Sequence, residues 1–96
     1  MRRSRTISLA EALQDYISEM KIGSKLKEAG AVASWENIVG KAIASRTTRI
    51  YIKDSVLFVH LNSSVVRNEL MMIREGIRER INREAGSEII RDIILR

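Results

Sequence analysis

The apolar pattern of this sequence changes its period at Thr47, from the roughly 3.6 residues of an α-helix to the 2 residues of a β-strand. In residues 48–53, Thr48, Ile50 and Ile52 alternate with Arg49, Tyr51 and Lys53. After Asp54 and Ser55, a second alternating pattern places Leu57, Val59 and Leu61 opposite Val56, Phe58 and His60. Two alternating runs joined by two turn-forming residues are typical of a β-hairpin. Ser55 suits a two-residue turn less well than glycine does, so a longer loop is the alternative. Because the helical period holds on both sides of this hairpin, the chain is restricted to folds that mix helices with a sheet.

Two helices are predicted before the hairpin. Ser8 and Glu11 form a capping box at the start of an amphipathic helix, and Gly23 supplies a residue that can end it. Ser24 then caps a second helix, whose apolar stripe contains Trp35, the single tryptophan. The spacing of Trp35 matches that stripe, so we interpret it as a core anchor.

A third helix and a third strand are predicted after the hairpin. The apolar positions Val66, Leu70, Ile73, Ile77 and Ile81 share one helical face, and the final stretch EIIRDIILR is rich in β-branched residues. The element order is therefore α-α-β-β-α-β. A strand–helix–strand unit implies a crossover and a parallel pair, so we expect an α+β fold with a three-stranded mixed sheet packed against helices. We expect a basic N-terminal tail at residues 1–7 and one domain at residues 8–96.

Composition argues against most kinds of chemistry. The 96 residues include no cysteine and one histidine, His60, which alternates with apolar residues on a predicted strand and is expected to be an ordinary sheet-surface side chain. The five glycines form no phosphate-binding loop, and no metal-ligand spacing occurs. We therefore expect no enzymatic activity, no cofactor and no small-molecule substrate. The absence of cysteine and of a long apolar run leads us to expect a cytoplasmic protein without a membrane partner.

Positive charge is concentrated in the first half of the chain. Residues 1–53 hold ten Lys or Arg and five Asp or Glu, whereas residues 54–96 hold seven of each. Between Lys41 and Lys53 there are four cations and no acid. Segregated charge of this kind is typical of polyanion binding, although a basic surface also serves solubility.

The predicted hairpin places part of this positive charge on one face of a strand. If Ile50 and Ile52 point to the core, then Arg49, Tyr51 and Lys53 point together toward solvent. Such a face suits phosphate groups, with Tyr51 as an accessory stacking residue. The predicted nucleic-acid site comprises Lys41, Arg46, Arg49, Tyr51 and Lys53.

Two further groups of arginines are secondary candidates for nucleic-acid contact. Arg67, Arg74 and Arg78 lie along one side of the third helix, where Glu75 and Glu79 dilute their charge. The N-terminal tail adds Arg2, Arg3 and Arg5.

Several stretches of the sequence resemble the DciA-like family. The stretches are SWENIVGKAIASRT, IYIKDSVLFVHLNSS, VVRNEL and INREAGSEIIRDIILR, and the family features fall on Trp35, Val39, Gly40, Glu69, Leu70 and Asn82. The resemblance implies a K-homology-like domain in a protein that binds DNA and engages the bacterial replicative helicase at initiation of replication. The G-x-x-G loop of K-homology domains is absent from the sequence, so that backbone grip is not expected here.

Together these observations predict a non-enzymatic domain that binds nucleic acid, with DNA favoured over RNA, beside the replicative helicase. One alternative is a protein-docking adaptor or homodimeric module that uses the basic face or a sheet edge. Another is an RNA-binding domain, because RNA presents the same phosphate charge.

Overall fold

The computed structural model describes residues 9–96 and the side chains of all of these except residues 14–22. Its elements in chain order are α1 (Leu9–Ala33), α2 (Trp35–Val39), α3 (Lys41–Ala44), β1 (Thr47–Lys53), β2 (Val56–Leu61), α4 (Ser64–Ala85) and β3 (Asp92–Leu95). The predicted α+β class and element order are confirmed. Within the described range, no helix combines the length and apolar content that crossing a membrane requires.

The predicted boundary between the first two helices is wrong. Helix α1 continues through Gly23 and ends at Ala33, so Gly23 is an interior residue. Glycine tolerates helical dihedral angles at a cost of about 1 kcal/mol, and it ends a helix only where the backbone turns left-handed. The positive φ glycines of this chain are Gly40, at 94°, and Gly86, at 78°, and both follow helices. The backbone breaks between helices therefore lie at Ser34 and Gly40.

The three strands form one sheet in the order β1-β2-β3. Strands β1 and β2 are antiparallel, whereas β2 and β3 are parallel and are connected through α4. Asp54 and Ser55 form the hairpin turn with φ values of 52° and 62°. Positive φ at both central residues is the signature of a type I′ turn, whose twist matches that of the flanking strands. The two-residue hairpin and the mixed sheet are both confirmed.

The core lies between one face of the sheet and the helices. Strand β2 contributes Leu57 and Val59, which are fully buried, and α4 contributes Leu70. Ile77 and Ile81 follow Leu70 at spacings of seven and eleven residues, which returns them to the same helical face. Trp35 is 4% exposed and belongs to this core, as its spacing predicts.

A register shift near the start of β1 changes which threonine faces the core. Thr47 pairs with Leu61 and Arg49 pairs with His60, so Thr48 is the extra residue of a β-bulge. Thr47 is half-buried and its hydroxyl accepts a hydrogen bond from the Trp35 indole at 3.0 Å. Thr48, which simple alternation places on the inner face with Ile50, is instead exposed.

Candidate nucleic-acid interface

The sheet face turned away from α4, here called the open face, carries three rows of side chains. Cross-strand pairing puts Tyr51 beside Phe58 and Phe58 beside Ile94. The ladder extends beyond β3, since the Arg96 amide donates to Val59 O and the Leu61 amide donates to Arg96 O. The rows are Arg49–His60–Arg96, Tyr51–Phe58–Ile94 and Lys53–Val56–Asp92.

Three rings stack at the centre and one end of the open face. The ring centroids of Tyr51 and Phe58 are 5.0 Å apart with 13° between their planes. Those of Tyr51 and His60 are 5.8 Å apart with 28° between their planes. All three side chains are half-buried. These distances and angles are those of offset-stacked aromatic pairs.

Two guanidinium groups lie over this ring cluster from the outer strands. Cζ of Arg49 lies 4.6 Å from the Tyr51 ring centroid, and Cζ of Arg96 lies 5.8 Å from that of Phe58. Both distances are within the range of cation–π attraction. Ion pairs among residues 23–96 involve only Arg78 and Arg80 as cations, so neither Arg49 nor Arg96 is neutralised by a carboxylate there.

The structure brings together three of the five predicted primary residues. Arg49, Tyr51 and Lys53 share the open face, as the alternation predicts. Arg46 is exposed in the connection before β1, and Lys41 is exposed as the first residue of α3. Arg46 and Lys53 are seven positions apart, which corresponds to about 24 Å at about 3.4 Å per strand residue. Arg46, Arg49, Tyr51 and Lys53 therefore follow the length of β1, whereas Lys41 lies on α3.

The secondary candidates on α4 are engaged in contacts within the fold. Arg67 donates to Leu61 O at 3.2 Å, and Arg74 donates to Ile93 O at 3.4 Å. Both contacts connect α4 to the strands, although Arg74 remains exposed.

Arg78 is paired with acids. Its Nε donates to a Glu75 carboxylate oxygen at 2.9 Å, and its Nη1 lies 3.6 Å from Glu88. The hydrogen bond from Arg78 lowers the pKa of Glu75, and the same bond raises the pKa of Arg78. Its charge is therefore already compensated. Arg2, Arg3 and Arg5, with the rest of the predicted tail, lie outside the described residues.

The site predicted from the sequence did not include Phe58, His60 or Arg96, which contact one another or Tyr51 on the open face. Phe58 and His60 alternate with the buried positions of β2, and the hairpin register places them opposite Tyr51 and Arg49. This signal was present once the two-residue turn had been inferred. The position of Arg96 could not be predicted from the hairpin, because it depends on the pairing of β3 with β2.

His60 was expected to be an ordinary side chain of the sheet surface with its polar atoms hydrogen-bonded, and the structure differs from this. Its ring stacks on Tyr51, whereas its Nε2 atom is buried without a hydrogen-bond partner among the described residues. Stacking rather than hydrogen bonding therefore fixes this side chain.

Comparison with known proteins gives matches that cover nearly the whole chain. The model of the family described as Dna[CI] antecedent, DciA, matches residues 8–95. A UPF0232 protein of Corynebacterium glutamicum (strain R) is 29% identical over 86 residues, which cover 90% of this chain and 48% of that protein. The chain thus spans about half the length of this relative. With nearly all of its residues matched by the family model, the chain belongs to the DciA family.

Proposed function

We propose that this chain is a non-enzymatic DNA-binding domain that acts in the cytoplasm with the bacterial replicative helicase at the initiation of replication. Membership of the DciA family supports the replication role. The observation that carries DNA binding is the position of Arg49 and Lys53, which flank Tyr51 on the open face without a carboxylate partner among residues 23–96.

The charge arrangement favours phosphate contacts over base reading. Lys41, Arg46, Arg49 and Lys53 are all exposed, with Arg49 and Lys53 on β1, Arg46 directly before it and Lys41 on α3. Each phosphate neutralised releases counterions, so the logarithm of affinity falls with the logarithm of salt concentration by about 0.7 to 0.9 per neutralised phosphate. Four such phosphates give moderate affinity that tolerates sequence variation.

Charge reversal tests this surface directly. Arg49→Glu and Lys53→Glu, alone and together, are compared with wild type by fluorescence anisotropy on a labelled oligonucleotide at a series of salt concentrations. We expect several-fold weaker binding at low salt and a salt slope shallower by about 0.7 to 0.9 for each phosphate that the variant no longer neutralises. Arg83→Glu is the matched control, because it changes the net charge equally at an exposed site on α4.

Unchanged binding of the double variant at low salt would remove this surface as the DNA site. Binding that weakens equally in Arg83→Glu would indicate a response to overall charge. Competition between DNA and RNA of the same length decides between the two polymers, since both present the same phosphate charge.

A protein-docking role is the second candidate, and the outer side of α4 favours it. Val65 and Met72, seven residues apart and hence on one helical side, are 67% and 81% exposed. Exposed apolar side chains grouped in this way are typical of interaction surfaces. Affinity capture from a lysate, with and without nuclease, separates the candidates. Helicase retained after nuclease treatment supports direct protein docking, and helicase removed together with the nucleic acid supports DNA-mediated association.

A further inference from the structure

We propose that Tyr51 and Phe58 form a stacking platform for the bases of single-stranded nucleic acid, with Arg49 and Arg96 holding phosphates on either side. This inference rests on the proposed function and gives it a specific mode. It selects the single-stranded form of the ligand, and it adds two residues, Phe58 and Arg96, that charge and periodicity along β1 do not indicate.

The ring geometry is the first observation that carries this inference. Tyr51 and Phe58 are nearly parallel, with 13° between their planes, and occupy the central row of the open face. Both remain half-buried, whereas Trp35, which anchors the core, is 4% exposed. A nucleobase is a planar ring of similar size that can extend such a stack, and base–aromatic stacking tolerates every base.

The charges around the rings are the second observation. Arg49 on β1 and Arg96 beside β2 lie at the two ends of one row, with His60 between them. Two strand spacings separate their backbones by about 10 Å. Each guanidinium lies over a ring of the cluster, and both arginines are exposed. A base that stacks on either ring therefore displaces a guanidinium, which then lies within reach of the phosphate of that base.

The opposite row gives the site a direction. It carries Lys53 beside Val56, and then Asp92, the acid of the open face. Asp92 repels phosphate at that corner, while Arg49 and Arg96 attract it at the other end. A nucleic-acid strand therefore crosses the sheet along the arginine row, with its bases directed onto Tyr51 and Phe58.

Duplex DNA cannot use this platform, because its base faces are already stacked within the helix. A single strand can turn its bases out, which is why aromatic sheet surfaces bind unpaired nucleotides. A duplex can reach only the arginines and Lys53. The platform thus predicts a preference for single strands that phosphate contacts alone do not produce.

An aromatic pair across a hairpin also stabilises the strands themselves. That role would leave the ratio of single-strand to duplex affinity unchanged when the rings are replaced. The ratio is therefore the measurement that separates a platform from a structural pair.

The test uses single-stranded and duplex oligonucleotides of equal length with Tyr51→Leu, Phe58→Leu and the matched control Tyr51→Phe. We expect each leucine variant to bind single strands about tenfold more weakly, as expected for loss of one base stack. Duplex binding by the leucine variants is expected to match wild type. Tyr51→Phe keeps the ring and is therefore expected to keep the wild-type ratio of single-strand to duplex affinity. Thermal unfolding of each variant verifies that the sheet is retained.

A second measurement needs no substitution. Wild-type protein is photocrosslinked to a single strand containing 5-bromodeoxyuridine, and the adduct is located by mass spectrometry. Adducts on Tyr51 or Phe58 support the platform. Adducts confined to the helices, or leucine variants that keep the wild-type affinity ratio, would overturn it while leaving DNA binding intact. Failure of wild type to bind any DNA at low salt would instead refute the proposed function itself.

Discussion

The side chain of Asn82 holds the backbone of Ile90 by both of its polar groups. Asn82 Nδ2 donates to Ile90 O at 2.8 Å, while its Oδ1 accepts from the Ile90 amide at 3.0 Å and from the Ile89 amide at 2.9 Å. Ile90 is fully buried, in the connection between α4 and β3. The Asn82 side chain thus supplies the hydrogen bonds that a neighbouring strand would otherwise give to this buried backbone.

Replacement of Asn82 by alanine is expected to lower the free energy of unfolding by about 3 kcal/mol, because three hydrogen bonds are removed and buried backbone groups stay unsatisfied. Urea unfolding measures the change. Asn68→Ala, at an exposed position of the same helix, is the control and should stay within about 0.5 kcal/mol. Equal effects at the two positions would show that the Asn82 side chain contributes nothing specific.

Gly40 and Gly76 provide a matched pair for backbone conformation, since a Cβ at either meets nothing within 4 Å. Gly40 has φ 94° and ψ 163°, a region that essentially only glycine occupies, so Gly40→Ala should destabilise by about 1–3 kcal/mol. Gly76 lies inside α4, and Gly76→Ala should stabilise by about 0.5–1 kcal/mol. Thermal unfolding measures whether each substitution raises or lowers the stability of the fold. A neutral Gly40→Ala would mean that the break between α2 and α3 does not require its positive φ.

Thr47→Val is expected to destabilise the fold by about 1–3 kcal/mol, because the buried Trp35 indole loses its acceptor. Thr47 also donates to Ile43 O at 3.1 Å, so the substitution loosens the junction of α3 and β1. The emission of Trp35, the single tryptophan, reports unfolding directly. Thr48→Val, at the exposed neighbouring position, removes an exposed hydrogen bond to His60 O at 3.2 Å and should cost less than about 1 kcal/mol. A larger loss of stability in Thr48→Val than in Thr47→Val would mean that Thr47, and not Thr48, is the extra residue of the bulge.

The Glu75–Arg78 pair predicts a pH-dependent contribution to stability. Arg78 lowers the pKa of Glu75 below its ordinary value of 4.5 in the folded chain. The pair therefore stabilises fully above pH 4.5, and this contribution disappears as the pH falls through the lowered folded value. Glu75→Gln should be slightly less stable than wild type at pH 7 and indistinguishable from it in strong acid. Glu79→Gln is the control, and a difference that persists in strong acid would contradict the assignment.

Arg74→Gln is expected to reduce stability without weakening DNA binding. Its guanidinium is committed to Ile93 O, and its helix packs on the sheet face opposite the proposed site. Anisotropy and urea unfolding on the same sample separate the two effects, with Arg49→Glu giving the reverse pattern. Weaker DNA binding by a correctly folded Arg74→Gln variant would indicate that the arginines of α4 contact DNA.

The hairpin could be predicted from the sequence, because the alternation of residues 49–61 and the turn residues Asp54 and Ser55 are local features of the chain. The same alternation determined that Arg49, Tyr51 and Lys53 share one face. The helical periods indicated the remaining helices and the burial of Trp35, but not the boundary between the first two helices, and the β-branched final stretch indicated β3. Resemblance of short stretches was enough to indicate the DciA family, which the family model confirms.

Other features could not be predicted from the sequence, because they depend on contacts between residues that are far apart in the chain. Gly23 continues α1 because nothing at that point turns the backbone left-handed, and composition does not reveal this. Arg74 and Arg78 look like open charges in the sequence, but Ile93 O and Glu75 engage them. The open face is complete only when β3 pairs with β2 and brings Arg96 beside His60. Periodicity along one strand fixes which side a residue faces, whereas its neighbours on that side depend on which strands pair and in what register.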